Sequence, residues 1–285
     1  CAGKIAGWVK NRAGTLDQHN IHLCALRDIA MGVAEREGVR FADIFWPMFQ
    51  AQVFAPSQHA ATAEHPYEVT GKDGIHPGWA GQVVMAWAFL RAMGLDGNIG
   101  TITVDLASGK ASASEGHAVK SFRDGKLTLI SSRYPFCARG NLDDDGSLRS
   151  GMTLVPFAED LNRFVLRVTG APSGSYRLEW GDDVRKYSAE ELGQGIQLPV
   201  DFPDNPFCDA FDKVDAAVAA KQAFETTQVK KVFHGPRGRT DIEKAVVETE
   251  AQRAPLADAI SNAFVPVTHT IEIVLSSESV HKTHP

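Results

Sequence analysis

The chain has 285 residues, of which 44% are hydrophobic and 22% charged, and its formal net charge is −6. This composition is typical of a globular protein with one large domain or two smaller ones. The mild acidity argues against a nucleic-acid-binding protein, and no apolar run is long enough to cross a bilayer. The four cysteines form no C-x-x-C pair, so we expect no zinc site. The cellular compartment stays open, with secretion or the periplasm among the options.

The first predicted element is a helix over residues 15–38. Thr15 and Gln18 have the spacing of a capping box, in which each side chain bonds the other's backbone N–H. Apolar and small residues then recur on one face, at positions 21, 25, 29, 32 and 33. Gly38 suits the end of this helix.

A short aromatic and β-branched run at residues 39–46 follows at once and predicts a buried strand before Pro47. Residues 48–72 form a long polar connection, and loops of this length in compact domains are often functional. A second helix is predicted over residues 77–93, with Pro77 in its first turn. Helix, strand, loop and helix make one unit of a doubly wound α/β fold.

After residue 97 the pattern changes to short strand-like runs separated by turn signals such as Asp124-Gly125, which indicates a β-rich domain. The predicted strands are residues 100–106, 118–122, 126–131, 163–169, 176–180 and 195–200. Helical patterns at 208–232 and 255–264 and a strand at 268–275 follow. We therefore expect three regions: an α/β region at 1–97, a β-rich accessory domain at 98–207, and a helical region with a final strand at 208–285.

The sharpest chemical signal is at residues 73–77, which read Asp-Gly-Ile-His-Pro at the end of the long loop. A serine hydroxyl becomes a good nucleophile when an imidazole takes its proton, and the imidazole needs a carboxylate to orient it. Asp73 and His76, three residues apart in one turn, have the spacing to form such a pair. The alternative, equally open from these residues alone, is that Asp73 caps the helix that Pro77 begins.

Residues 73–81 resemble the last conserved block of SGNH/GDSL hydrolases, in which Asp-Gly-x-His-Pro is followed by a glycine, here Gly81. Residues 41–45, which read Phe-Ala-Asp-Ile-Phe, resemble the strand that precedes that block. Several downstream segments, among them 133–136, 160–164, 179–181 and 205–207, are similar to the C-terminal extension of one bacterial branch. The resemblance implies the C-terminal portion of a three-layer, flavodoxin-like α/β domain.

The chain departs from this family at the nucleophile. In the family, a Gly-Asp-Ser motif and the glycine and asparagine of the oxyanion hole all precede the Asp–His pair. Here Ser57 is the only serine before Asp73, and it has no Gly-Asp before it. We therefore expect the nucleophile and the oxyanion donors to come from sequence upstream of Cys1, and this chain to be an incomplete, inactive part.

The resemblance implies a serine esterase that acts on a small-molecule ester, with carbohydrate acyl esters among the candidates. Asp73 and His76 would be its catalytic acid–base residues, and no metal or organic cofactor would be needed. The alternative is a non-catalytic module that binds glycan or protein. A row of exposed aromatic side chains on the β-rich region, among them Tyr134, Phe136, Trp180 and Tyr187, would favour that alternative. The sequence leaves the oligomeric state open.

Overall fold

A computed structural model describes residues 1–7 and 14–276, and the chain divides into two compact units. A helical unit contains Cys1–Asn98 and Ala138–Arg163, and a β unit contains Ile99–Cys137 and the chain from Phe164 onward. This division differs from the three regions expected from composition. Residues 138–163 pack with the helices before Asn98, and the final strand lies inside a sheet of the β unit.

The helices of the helical unit are α1 Leu16–Glu37, α2 Phe45–Gln58, α3 Trp79–Ala92, α4 Leu148–Gly151 and α5 Phe157–Leu161. The predicted start and end of α1 are confirmed. The Gln18 N–H donates to Thr15 Oγ1 at 3.3 Å, the Thr15 N–H donates to Gln18 Oε1 at 2.9 Å, and Gly38 ends the helix in the left-handed conformation. A small core under α2 and α3 contains Met48 and Val84.

The apolar face predicted for α1 is present but lies open to solvent. Ile21 is 65% exposed, Ile29 is 63% exposed and Val33 is 41% exposed. A helix with such a stripe normally buries it against another element. In the described part of the chain, α1 instead presents this stripe as an uncovered surface.

The strand predicted at residues 39–46 is wrong, because residues 39–44 are irregular and α2 begins at Phe45. The Asp43 carboxylate accepts hydrogen bonds from the N–H groups of Phe45 and Trp46, as helix-capping side chains do. Pro47 falls in the first turn of α2, where no N–H is needed. The proline that suggested the end of a strand therefore belongs to the start of a helix, and the connection before Asp73 is shorter than expected.

Among the described residues before Asn98 there is no strand, so the three-layer, flavodoxin-like arrangement is not confirmed. The structure supports the broader class, a mixed α/β protein with two sheets and several helices. None of the helices in the described ranges is both long and apolar enough to span a membrane.

The nine strands of the described chain form two sheets. Strand order is β2-β1-β5-β8 in one sheet and β3-β4-β9-β6-β7 in the other. Their bounds are β1 Asn98–Asp105, β2 Lys110–Ala113, β3 His117–Arg123, β4 Lys126–Ser131, β5 Arg163–Thr169, β6 Ser175–Trp180, β7 Asp183–Ser188, β8 Ile196–Gln197 and β9 Val267–Leu275. The predictions for 126–131 and 163–169 are confirmed with those bounds, and those for 100–106, 118–122, 176–180 and 268–275 to within a few residues.

Alternating apolar residues place one face of each sheet in a shared core. Leu127 and Leu129 of β4 are fully buried, and in the ladder Leu127 lies opposite Ile271 of β9. The predicted turn between β3 and β4 is confirmed. Asp124 and Gly125 have φ angles of 51° and 76°, as a two-residue hairpin of the favoured hand requires.

The remaining helices are α6 Ala189–Gln194, α7 Leu198–Asp201, α8 Cys208–Thr227, α9 Pro236–Thr240 and α10 Ile242–Ala263, and a π-helical segment, Gln228–Phe233, follows α8. The strand predicted at 195–200 is two residues long, because Pro199 stands in the first turn of α7. The helix predicted at 255–264 begins earlier, where the Asp241 carboxylate accepts from the Lys244 N–H at 2.9 Å.

Candidate active site

Asp73 and His76 lie on the loop between α2 and α3, and their side chains are in contact. Asp73 Oδ2 is 2.6 Å from His76 Nδ1. The second carboxylate oxygen, Oδ1, accepts from the backbone N–H of Ile75 at 3.0 Å and of His76 at 2.9 Å. The contact expected from the three-residue spacing is therefore present, and the carboxylate is held by the same turn that carries the histidine.

This geometry specifies the tautomer that general-base catalysis needs. A carboxylate at Nδ1 favours a proton on that nitrogen, which leaves the lone pair on Nε2. The His76 side chain is 75% exposed, so a reacting group can approach it from solvent. The pair has the orientation of the acid and base of a triad, while its catalytic role stays a prediction.

The pKa of the Asp73 carboxyl lies well below its ordinary value. The main cause is the hydrogen bond with the His76 side chain, and the backbone N–H groups of His76 and Ile75 add to it. These donors stabilise the charged form, so Asp73 is an anion throughout the neutral range. A permanent negative charge beside Nδ1 is what stabilises an imidazolium during proton transfer.

We expect the His76→Ala substitution to raise the pKa of Asp73 toward its ordinary value of about 3.9, because the main stabilising contact is lost. Titration of the carboxyl carbon by NMR measures this directly. Asp105 is a matched control, since its pKa is also lowered, by Ser108. An Asp73 titration that is the same in wild type and in the variant would show that the two side chains do not interact in solution.

Glycines with positive φ allow the site loop to fold tightly. A Cβ atom on Gly71, whose φ is 79°, would lie 1.9 Å from the carbonyl oxygen of His76. The Gly74 N–H donates to Gly71 O at 2.9 Å, and the Gly3 N–H donates to Gly74 O at 2.9 Å. The segment at Gly3 therefore supports the turn that carries Asp73. Sequence reasoning missed both supports, although glycines flanking a D-x-x-H turn are a signal that could have indicated the first.

The other glycine of the sequence motif, Gly81, also has a structural reason. A Cβ atom at this position would lie 2.1 Å from the carbonyl oxygen of Val69, so Gly81 lets α3 approach the loop closely. The loop is held at the same end by Asp145, whose carboxylate accepts from the Glu68 N–H at 2.6 Å and whose carbonyl accepts from the Ala80 N–H at 3.0 Å. Asp145 was not predicted to support the site.

The other sequence candidates take structural roles. The hydroxyl of Ser57 donates to the Phe54 carbonyl at 3.0 Å, inside the last turns of α2. The four aromatic residues that would have favoured a glycan- or protein-binding module form no exposed row. Trp180 is fully buried, and Tyr134, Phe136 and Tyr187 are partly buried. Across residues 1–7 and 14–276, no group of three or more His, Cys, Asp or Glu residues could hold a metal ion.

Comparison with protein-family models finds no match, and none of the curated proteins matches. Among solved structures, the chain is similar to a gut microbial diltiazem-metabolizing enzyme, with a TM-score of 0.63 and 18% sequence identity. The similarity covers 96% of this chain and 71% of that chain. At this identity it shows the mixed α/β fold alone, and the resemblance to SGNH/GDSL hydrolases is not confirmed by it.

Proposed function

We propose that Asp73 and His76 are the acid–base pair of a serine esterase of the SGNH/GDSL type. The observation that carries the proposal is the 2.6 Å contact between Asp73 Oδ2 and His76 Nδ1, with Asp73 Oδ1 held by two backbone N–H groups. Such a carboxylate is oriented before any substrate binds. The structural likeness to an enzyme, the diltiazem-metabolizing one, agrees with a catalytic function.

In the proposed reaction, His76 Nε2 takes the proton of a serine hydroxyl as that oxygen attacks the ester carbonyl. His76 then returns the proton to the departing alcohol, and the acyl group stays on the serine. Water deprotonated by His76 releases the acid and restores the serine. Asp73 stays charged throughout and stabilises the imidazolium. The substrate class is a small acyl ester, with carbohydrate esters among the candidates, and the reaction needs no cofactor.

We infer that the nucleophile and the oxyanion donors come from residues other than those described here. Ser57, the one serine that precedes Asp73, is hydrogen-bonded within α2. The open stripe of Ile21, Ile29 and Val33 on α1 is the kind of surface that a helix of an α/β domain buries against a sheet. We therefore propose that further strands of such a domain cover α1 in the active protein.

The proposal is tested by ester hydrolysis, measured on this 285-residue chain and on the protein as the cell makes it. We expect no turnover by the chain alone. In the active protein we expect His76→Ala to lower kcat/KM by on the order of 10⁴-fold or more, and Asp73→Asn by about 10³–10⁴-fold.

His65→Ala is the matched control, because it removes another exposed histidine of the same loop. We expect it to leave kcat/KM unchanged. Activity that survives His76→Ala would rule out the proposed role of His76. Turnover by the chain alone that survives Ser57→Ala and is abolished by His76→Ala would keep the acid–base role and place the nucleophile elsewhere within this chain.

A further inference from the structure

A chain of four hydrogen bonds runs through the interior of the β unit. Trp180 Nε1 donates to His269 Nδ1 at 3.1 Å, and His269 Nε2 lies 2.9 Å from Ser131 Oγ. Ser131 Oγ lies 2.8 Å from His117 Nδ1, and His117 Nε2 lies 2.9 Å from the carbonyl oxygen of Ile99. We call these five residues the His–Ser–His network.

The direction of each hydrogen bond follows from the two ends of the network. The Trp180 indole can only donate, so His269 Nδ1 accepts, and the proton of a neutral His269 is on Nε2. The Ile99 carbonyl can only accept, so His117 Nε2 carries a proton and Nδ1 accepts from Ser131. Every donor then meets one acceptor with both imidazoles neutral. Sequence reasoning missed the network, whose members lie on separate strands.

The network links the two sheets. His117, Ser131, His269 and Trp180 belong to β3, β4, β9 and β6, which are consecutive in the five-stranded sheet. Ile99 belongs to β1 of the other sheet. All four of those side chains are buried, Ser131 and Trp180 completely.

Aromatic rings enclose both imidazoles. Phe164 stacks on His117 with ring centroids 4.7 Å apart, and Phe207 lies 4.9 Å from His269. Neither ring has an oxygen or nitrogen atom that could accept a hydrogen bond from an imidazolium, and both rings keep solvent away from the imidazoles. An added proton would therefore have to be held by the network itself.

Other ionisable groups around the network do not compensate for an added proton. Arg133, the cation beside His117, disfavours a second positive charge there. The carboxylate of Glu115 pairs with Arg133 at 3.7 Å and is 91% exposed, so it lies in solvent and not in the network. In the same core, the Tyr176 hydroxyl donates to the Pro172 carbonyl, the Tyr134 hydroxyl donates to the Val265 carbonyl, and the Cys137 thiol contacts the Pro135 carbonyl. The Cys208 thiol lies against the Pro203 carbonyl. Each of these groups is directed to a partner outside the network.

We propose that the His–Ser–His network is an acid-sensitive link between the two sheets. It stabilises the folded β unit while both imidazoles are neutral, and the β unit unfolds more readily under mildly acidic conditions. One added proton disrupts this hydrogen-bond pattern. A proton on His269 Nδ1 would point at the N–H of Trp180, so two donors would face each other. A proton on His117 Nδ1 would point at the Ser131 hydroxyl, and the hydroxyl's own proton would then lose its acceptor. A buried donor without an acceptor is costly, so protonation favours the open state.

The expected pH range follows from the histidine pKa values. Burial lowers the pKa of His269 to about 4, with a smaller contribution from His117, and burial also lowers the pKa of His117. In the unfolded chain both would titrate near 6.5. Between these values the unfolded state binds more protons, so the stability is complete above about pH 6.5 and falls as the pH decreases toward 4.

The test is urea unfolding of the whole chain between pH 7.5 and pH 4.5, followed by the methyl NMR signals of Ile271 in the β-unit core. For the wild type we expect His269, whose pKa in the folded protein is about 4, to lower the folding equilibrium constant by about tenfold per pH unit below pH 6. Because burial also lowers the pKa of His117, we expect His117 to steepen this fall. His269→Gln keeps an acceptor and a donor but cannot titrate, so we expect it to remove the part of this slope that comes from His269. His234→Gln, at an exposed histidine of the same unit, should leave the slope unchanged.

A second measurement needs no variant, which matters because His269→Gln could fail to fold. Nitrogen NMR shifts of the wild-type imidazoles report their protonation and tautomer. We expect His269 to be neutral, with the proton on Nε2, at pH 5.5 in the folded protein, and His117 to have the same Nε2 tautomer at pH 7.5. A charged His269 at pH 5.5, the opposite tautomer at either histidine, or a His269→Gln variant that keeps the full slope would overturn the proposal.

Discussion

Replacing Trp180 with alanine is expected to lower the free energy of unfolding of the β unit by about 4 kcal/mol or more, since removal of a buried Trp typically costs ~3–5 kcal/mol. The indole is fully buried and contacts the rings of Phe164, Phe202, Phe207 and His269. The substitution leaves a cavity in the centre of the core. It also leaves His269 Nδ1 without its donor, which adds the cost of a buried unsatisfied acceptor.

The two contributions can be separated by a second substitution. Trp180→Phe keeps most of the ring volume but removes the N–H, so we expect a smaller loss, about 1–3 kcal/mol. Urea unfolding followed at Ile271 measures both variants. Trp79→Ala removes a tryptophan that is 62% exposed and should change stability by no more than about 0.5 kcal/mol. Equal losses for Trp180→Ala and Trp180→Phe would show that the cavity costs little.

The Gly71→Ala substitution should disrupt the candidate active site without touching Asp73 or His76. The new Cβ would lie 1.9 Å from the His76 carbonyl oxygen, a distance that no real structure tolerates, so the segment at His76 has to move. A displacement of about 1 Å in a catalytic group lowers activity by on the order of 10²-fold. We therefore expect at least that loss of kcat/KM in the active protein, with a raised pKa of the Asp73 carboxyl as the His76 contact weakens.

Gly38→Ala is the matched control for the backbone strain. Gly38 has a φ of 64°, close to the 79° of Gly71, but a Cβ atom there meets nothing within 4 Å. Both substitutions therefore strain the backbone alike, and only Gly71→Ala produces a clash. If both variants leave the Asp73 titration and the activity as in the wild type, the tight turn at Gly71 is not what positions His76.

The elements that the sequence predicts well have their signals within a few residues. The capping box at Thr15 and Gln18 and the Asp124–Gly125 turn are local hydrogen-bonding and backbone requirements, and both are present. The Asp73–His76 contact belongs to the same class, because it forms within one turn of the chain.

The strand wrongly predicted at residues 39–46 shows what happens when one local signal is compatible with two structures. Pro47 is compatible with the end of a strand and with the first turn of a helix, and the structure places it in the first turn of α2, where the Asp43 carboxylate accepts from the Phe45 and Trp46 N–H groups. The His–Ser–His network was beyond prediction for another reason. His117 and His269 are far apart in sequence, and Ser131 connects them because β4 pairs with β3 on one side and with β9 on the other, each in one particular register. No pattern within either strand reveals the partner.

The position of β9 in its sheet has a consequence for how the protein is made. This strand is the last one described along the chain, yet it lies between β4 and β6. About 135 residues separate β4 from β9, so at a synthesis rate of ~5–20 residues per second the ribosome needs on the order of 10 s to supply the missing neighbour. During that interval the β4 edge of the β3–β4 hairpin is unpaired, and the β6 edge of the β6–β7 hairpin is unpaired once Ser188 has been made. The five-stranded sheet can therefore be completed only after translation has passed Leu275.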